Sequence, residues 1–166
     1  DDIYVLELFH GPTMAFKDFA ARFMARCMEH LLSEEITILV ATSGDTGSAV
    51  ANGFFGMDGI QVVILYPSGR VSAIQEQQLT TYGGNITALE VEGSFDDCQH
   101  MVKEAFLDKN VNQRRSLSSA NSINIARLLP QSVYYAWAWK QINTVQPIVF
   151  SVPSGNFGNL TGGIIA

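Results

Sequence analysis

The sequence alternates between short apolar runs of strand length and longer stretches in which apolar residues recur at helical spacing. Strand-length runs lie at 3–9, 36–41, 61–66, 85–91 and 147–152, with a weaker one at 116–120. Helical spacing is found between them, at 16–32, 46–57, 71–81, 95–107 and 123–142. Strands that are apolar on both faces and alternate with helices are typical of a parallel sheet covered on both sides. The sequence therefore predicts an α/β fold with an open parallel sheet and helices on both faces.

Composition and charge exclude several classes of protein. With 47% hydrophobic and 16% charged residues, the chain has the composition of an ordered globular domain. A net charge of −6 argues against nucleic acid or an anionic membrane as a partner. The two cysteines and three histidines share no metal-ligand spacing, so we expect free buried thiols, no metal site and a reducing compartment. No apolar run reaches the roughly 18 residues of a membrane span, and we expect a cytoplasmic protein.

The loop ATSGDTGSA, residues 41–49, directly follows a predicted strand and supplies several hydroxyl groups. Parallel sheets bind ligands at the carboxyl ends of their strands, where such loops enter the next helix. Hydroxyls, tight glycine turns and the free amides of a helix start together form a small cradle for a carboxylate or a phosphate. The alternative, a helix cap with flexible glycines, explains one or two of these residues but hardly the whole run.

The loop SVPSGNFGNLTGG, residues 151–163, follows another predicted strand. Gly155 and Gly158 bracket Asn156 and Phe157, and Asn159 begins a predicted helix. Converging amides at a helix start are suited to a phosphate group. The spacing matches neither the Walker A motif nor the dinucleotide-binding motif, and the loop alone is equally compatible with a purely structural turn.

Lys17 lies in GPTMAFKDF, at the start of a predicted helix, and is one of only four lysines. A lysine on a helix is usually a solvated surface group. Here, however, a lysine, a carboxylate cradle and a phosphate loop are the three parts that a pyridoxal phosphate enzyme needs. The amine must lose its proton to attack an aldehyde, and burial between Phe16 and Phe19 favours the neutral form. We therefore predict that Lys17 is catalytic.

Five strings of the sequence resemble the threonine synthases, in the same order and at similar separations. They are LELFHGPTMAFKDFA, ATSGDTGSA, VVILYPSGRVSAIQEQQLTTYGGN, SSANSIN and SVPSGNFGN. The resemblance implies a two-domain enzyme of fold type II, related to the tryptophan synthase β subunit, with pyridoxal 5'-phosphate as cofactor. It also implies a lyase of threonine biosynthesis. The enzyme would convert O-phospho-L-homoserine and water to L-threonine and phosphate, by γ-elimination followed by β-addition of water.

The resemblance also implies roles for individual residues. Lys17 matches the Schiff-base lysine, which shuttles protons between substrate carbons. The cofactor-phosphate loop is matched by Gly155, Asn156, Phe157, Gly158 and Asn159. The loop that meets the substrate carboxylate is matched by Thr42, Ser43, Gly44, Asp45 and Thr46. A turn near the active site, also expected to contact substrate, is matched by Asn121, Ser122 and Asn124.

Two further expectations concern residues whose roles are less direct. An acid inside an anion cradle should repel a carboxylate, so we expect Asp45 to cap the following helix instead. The aromatic residues of one helix, Tyr134, Tyr135, Trp137 and Trp139, are expected to form core or subunit interface.

Threonine synthases are far longer than 166 residues, so the resemblance implies that this chain is an internal fragment. Residues 1–142 would form most of the amino-terminal α/β domain, and residues 147–166 would begin the second domain, with 143–146 as the crossover. We expect the pyridine nitrogen to find its partner elsewhere in the protein, and exposed apolar surface predicts self-association.

Two alternatives stay open at this point. One is another fold type II enzyme, such as a serine or threonine dehydratase or a cysteine synthase. The other is a non-catalytic fragment that binds a small anion or a partner chain.

Overall fold

The computed structural model describes residues 3–142 and 144–166. Four parallel strands form one sheet in the spatial order β3-β2-β1-β4. Their bounds are Ile36–Ala41 (β1), Ile60–Pro67 (β2), Ile86–Val91 (β3) and Ser116–Ser119 (β4). In the register of the sheet, Ile36 lies opposite Ile60 of β2 and Ser116 of β4. The predicted α/β class with a parallel sheet is confirmed.

The described residues also form eight helices. They are α1 (Lys17–Leu31), α2 (Asp45–Phe54), α3 (Ala73–Thr80), α4 (Phe95–Leu107), α5 (Lys109–Arg114), α6 (Ile125–Leu128), α7 (Ser132–Ile142) and α8 (Gly158–Ile165). A 3₁₀ turn, Leu129–Gln131, joins α6 to α7.

The core has two layers because alternate residues of each strand face opposite sides of the sheet. Ile38 and Val40 of β1 pack with apolar residues of α1 and α2 on one side. Leu39 and Ala41 pack on the other side with Cys98 and other residues of α4. Both faces of the central strand are therefore buried, which explains its continuous apolar sequence.

Two predicted strands are wrong. Residues 3–9 and 147–152 are irregular, and Ile3 and Val149 are each 90% exposed. Their apolar composition favours a strand, but within the described residues neither segment pairs with the sheet, and an unpaired strand is not stable in water.

The predicted helix at 123–142 is interrupted. Pro130 lies in the 3₁₀ turn between α6 and α7, where its ring removes a backbone donor. Helix α5 was not predicted; the side chain of Asp108 starts it by accepting hydrogen bonds from the amides of Asn110 and Val111.

No helix among the described residues is long and apolar enough to cross a membrane. Of the predicted crossover at 143–146, Asn143 lies outside the described residues. The division into a domain at 1–142 and a second one beginning at 147 stays a prediction.

Candidate active site

A cleft of about 440 Å³ opens where β1 and β4 end and where α1, α2 and α8 begin. Carboxyl ends of strands and amino ends of helices thus converge, as expected for the ligand site of an open parallel sheet. Eleven predicted site residues line it: Lys17, Thr42, Ser43, Asp45, Thr46, Asn121, Ser122, Gly155, Asn156, Gly158 and Asn159. Gly44, Asn124 and Phe157 belong to the same loops, but other residues form the wall of the cleft there.

Lys17 is the first residue of α1, and its side chain is only 15% exposed. Its Nζ atom lies 4.5 Å from the centroid of the Phe16 ring and 3.7 Å from Oδ2 of Asp45. Burial lowers the pKa of Lys17; Asp45 raises it and the charge of Arg127 lowers it, with burial the largest effect. The net result is a lysine pKa below its ordinary value, which increases the share of neutral amine.

The loop before Lys17 is held in place by Asp18, the residue that follows the lysine. Its buried carboxylate accepts hydrogen bonds from the hydroxyl of Thr13 and, at 2.9 Å, from the amide of Thr13. Gly11 is required there, since a Cβ atom would lie 2.3 Å from Oδ2 of Asp18. This contact fixes the point at which Lys17 enters the cleft.

The prediction that Asp45 caps α2 is wrong. Asp45 is the first residue of α2, and among the described residues its carboxylate accepts no hydrogen bond from the amides of this helix. Its Oδ1 instead accepts a 2.8 Å hydrogen bond from Nε2 of Gln75, while Oδ2 faces Lys17. Gln75 is itself held in the capping box of α3, where its Oε1 accepts from the amide of Ser72. The carboxylate is therefore oriented toward the amine rather than toward the helix backbone.

Gly44 has a backbone conformation, φ 139° and ψ −89°, that side chains with a Cβ atom rarely adopt. A Cβ atom here would also lie 2.4 Å from Nε2 of Gln75. The glycine thus allows the Gln75–Asp45 hydrogen bond to form.

Thr42 shapes the 41–49 loop from within. Its side chain is buried, and its hydroxyl oxygen accepts hydrogen bonds from the amides of Gly44 (3.0 Å) and Gly47 (2.8 Å). The amides of Asp45 and Thr46, first in α2, have no acceptor in the part of the chain that the structure describes. These two amides are therefore the groups that can receive an anion.

The loop at 154–159 is organised by its own asparagine side chains. Oδ1 of Asn156 accepts from the amide of Gly158 (3.3 Å), and Oδ1 of Asn159 accepts from the amide of Leu160 (3.0 Å) and from the Ser154 hydroxyl. Phe157, which precedes α8, adopts the left-handed conformation with φ 57°. These contacts form a tight turn, and Ser154, Gly155, Asn156, Gly158 and Asn159 of this turn line the cleft.

Asn121 joins the ends of two strands. Its side chain donates to the carbonyl of Ala41 (2.7 Å) and accepts from the amide of Ala41 (3.1 Å). Asn124 caps α6 by accepting from the amide of Ala126, and it donates to the carbonyl of Ser119. Both asparagines therefore hold the turn in place, while Ser122 between them borders the cleft.

Two buried polar residues of the cleft were missed by sequence reasoning. Arg127 is 4% exposed and donates to the carbonyl of Ala120, and burial lowers its pKa to about 10, so it stays charged at neutral pH. Its Nε and the Oε1 of the neighbouring Gln131 are buried atoms without a hydrogen-bond partner among the described residues. A buried cation with an unpaired donor is a receptor for an anionic ligand. Nothing in the string INIARLLPQ distinguishes this arginine from a surface one.

Comparison with known proteins agrees with this geometry. The family model described as "Pyridoxal-phosphate dependent enzyme" matches residues 1–166. The chain is 55% identical to threonine synthase from Buchnera aphidicola and 53% identical to threonine synthase from Escherichia coli K12, in each case over 99% of the chain and 39% of the relative. A crystal structure of PLP-bound threonine synthase from Brucella melitensis superposes with a TM-score of 0.88, at 48% identity, over 97% of this chain and 36% of that one.

The chain therefore spans about 39% of the length of the curated relatives that it matches. The family match, in contrast, extends over all 166 residues. The chain belongs to the family of pyridoxal-phosphate dependent enzymes.

Proposed function

We propose that this chain supplies the lysine and both anion-binding loops of a threonine synthase, which converts O-phospho-L-homoserine and water to L-threonine and phosphate. The observation that carries the proposal is the position of Lys17. Its largely buried side chain, whose amine has a lowered pKa, lies in one cleft with the 42–46 loop and the 154–159 loop. The identity of 53–55% to proteins named threonine synthase favours this substrate over those of other fold type II enzymes.

The groups present in the cleft fit pyridoxal phosphate. Its volume, about 440 Å³, is within the range of small-molecule sites, about 300–1,000 Å³. Lys17 would bind the cofactor aldehyde. The 155–159 loop would bind its phosphate through backbone amides other than that of Gly158, which already donates to Asn156. The cofactor, when bound, supplies an electron sink for carbanion chemistry.

Once the substrate amine replaces it on the cofactor aldehyde, the freed Nζ of Lys17 would act as the proton carrier of the site. Because its pKa is lowered, the neutral amine is available to accept a proton at Nζ from a substrate carbon. The carboxylate of Asp45, 3.7 Å away, stabilises the ammonium that results, and the proton can be returned to a neighbouring carbon.

The substrate carries two anionic groups, and the cleft offers two matching receptors. The amides of Asp45 and Thr46 at the start of α2 would receive the carboxylate. The buried guanidinium of Arg127, with its unpaired Nε, is the second receptor and suits the substrate phosphate.

The wider setting is part of the same proposal. The enzyme would act in the cytoplasm, which fits the free Cys27 and Cys98. Residues 1–142 and 147–166 would belong to different domains of the complete enzyme. Exposed apolar side chains, such as Val149, favour self-association of the isolated chain.

Reductive trapping tests the role of Lys17. The 166-residue chain is mixed with pyridoxal phosphate, reduced with borohydride and mapped by mass spectrometry, with circular dichroism to verify folding. We expect the adduct on Lys17, and we expect the Lys17→Ala variant to lose it. Lys140→Ala is the matched control, since Lys140 is an exposed lysine far along the chain, and this variant should label normally.

The result that overturns the proposal is equally concrete. Labelling spread over the exposed lysines of a folded chain, or no labelling at all, would indicate a non-catalytic anion-binding fragment. Specific labelling at Lys17 without turnover of O-phospho-L-homoserine by a complete enzyme carrying this segment would favour a different substrate.

A further inference from the structure

Two neighbouring tyrosines of α7 contact the two halves of the cleft separately. The hydroxyl of Tyr134 donates to the carbonyl of Phe16, the residue before Lys17. The Tyr134 ring also packs edge-on against Phe19, two residues after the lysine, with 5.5 Å between ring centroids. Tyr134 thus holds the chain on both sides of Lys17.

Tyr135 makes the same pair of contacts with the other loop. Its hydroxyl donates to the carbonyl of Asn159 at 2.7 Å, and its ring packs edge-on against Phe150 at 5.1 Å. Helix α8 lies so close that a Cβ atom at Gly163 would be 2.6 Å from Cζ of Tyr135. Tyr135 thus holds the segment before the phosphate loop, the last residue of the loop and the helix that follows it.

Helix geometry explains how adjacent residues reach different segments. Successive side chains of an α-helix point about 100° apart, since one turn contains 3.6 residues. Tyr134 therefore points toward α1, and Tyr135 points toward α8. Burial raises the pKa of both phenols, so both remain protonated donors at neutral pH.

We propose that α7 is a brace that sets the separation between the reactive lysine and the phosphate loop, with Tyr134 and Tyr135 as its positioning residues. Neither tyrosine lines the cleft, so each acts through the segment that it holds. This inference deepens the proposed function and rests on it for the identity of the ligand. The brace itself is a property of the protein without ligand.

Hydrogen exchange of the chain without cofactor tests the brace directly. Tyr134→Phe and Tyr135→Phe keep the rings and remove one hydroxyl each. We expect Tyr134→Phe to speed exchange in residues 11–19, and Tyr135→Phe to speed it in 154–162, each by about threefold to tenfold, the effect of one lost hydrogen bond. Trp139→Phe is the control, since Trp139 is 65% exposed on the same helix, and should change neither segment.

Cofactor capture tests the positioning role. Each variant is trapped on Lys17 with pyridoxal phosphate and, separately, with pyridoxal, which lacks the phosphate. We expect Tyr135→Phe to raise the half-saturating concentration of pyridoxal phosphate about threefold to tenfold and to leave that of pyridoxal unchanged. Tyr134→Phe should slow capture of both aldehydes at saturation and preserve their ratio.

The outcomes separate this inference from the proposed function. Equal effects of both variants on both segments, a rise in exchange over the whole chain, or no effect on either segment would overturn the brace. If exchange responds as expected but Lys17 of the unmodified chain captures neither aldehyde, the brace stands and the proposed function fails.

Discussion

At Lys17, burial and a neighbouring carboxylate act on the same amine in opposite directions. Burial disfavours the ammonium and lowers the pKa, whereas Asp45 at 3.7 Å favours it. The distance is too long for a hydrogen bond, so the carboxylate acts mainly through its charge. Gln75, which holds Oδ1 of Asp45, keeps the other oxygen facing the amine.

The pH dependence of capture should therefore respond to Asp45. Only the neutral amine attacks an aldehyde, so the capture rate rises with pH through the pKa of Lys17. Asp45→Asn removes the charge that raises this pKa, and we expect the midpoint of the rate profile to move to lower pH. Capture rates measured across pH for the 166-residue chain give the midpoint.

Asp58→Asn serves as the control, because Asp58 is an exposed acid in a turn before β2 and should leave the midpoint unchanged. A midpoint that is the same in Asp45→Asn and in the unmodified chain would show that the carboxylate does not tune Lys17.

Arg127 shows what a sequence cannot reveal at this scale. Its burial depends on how α6 packs against α1, a helix from the opposite end of the sequence. Lys17 could be predicted because its own string and the two anion-binding loops are each local in sequence, and the Phe16 ring expected beside it does lie there, with its centroid 4.5 Å from Nζ.

Among the elements, those with local signals were predicted best. The bounds of α4 agree with its predicted range of 95–107, since Ser94 and Asp97 form a capping box at its start. β1 also agrees, because its continuous apolar run is buried on both faces. In contrast, the apolar composition of residues 3–9 and 147–152 predicts strands, but both segments are irregular. Whether such a segment forms a strand depends on a pairing partner, which composition does not reveal.

The sequence predicted which loops form the cleft but not the hydrogen bonds that their side chains make. Apart from Gly44 and Phe157, the residues at 42–46 and 155–159 line one cleft with Lys17. The bonding within them could not be read from sequence: Thr42 holds its own loop together, and Asp45 bonds Gln75, thirty residues away.

Where the pairing of β1 with β4 ends, the side chain of Asn121 takes the place of a backbone partner for Ala41. Its amide side chain pairs with both backbone groups of Ala41. Asn121→Ala should leave both groups unpaired and lower the free energy of unfolding by about 2–6 kcal/mol, at roughly 1–3 kcal/mol for each buried unsatisfied group. Denaturant unfolding followed by circular dichroism measures the change.

The control for that measurement is Gln113→Ala, at an exposed position before β4, which should change the unfolding free energy by less than about 0.5 kcal/mol. If Asn121→Ala were as stable as this control, the asparagine would not be the link between the strands, and its side chain would be free for a ligand.

For the molecule as a whole, the described chain combines a complete sheet core with apolar segments that it does not cover. Both core layers are closed around β1 and β2, yet Ile3, Val145 and Val149 are at least 90% exposed. Exposed apolar side chains of this kind favour association. We therefore expect further protein surface to cover these segments when the site works.

The central claim is best tested by a hybrid enzyme. This chain replaces the aligned segment of E. coli threonine synthase, to which it is 53% identical, in cells that lack their own enzyme and require threonine. We expect the hybrid to restore growth without threonine and, when purified, to release phosphate from O-phospho-L-homoserine. The Lys17→Ala hybrid should lose at least about 10²-fold in turnover, the scale of a removed general base, while Lys140→Ala remains active. Growth supported by the Lys17→Ala hybrid, or a folded hybrid that binds pyridoxal phosphate but forms no threonine, would contradict the account.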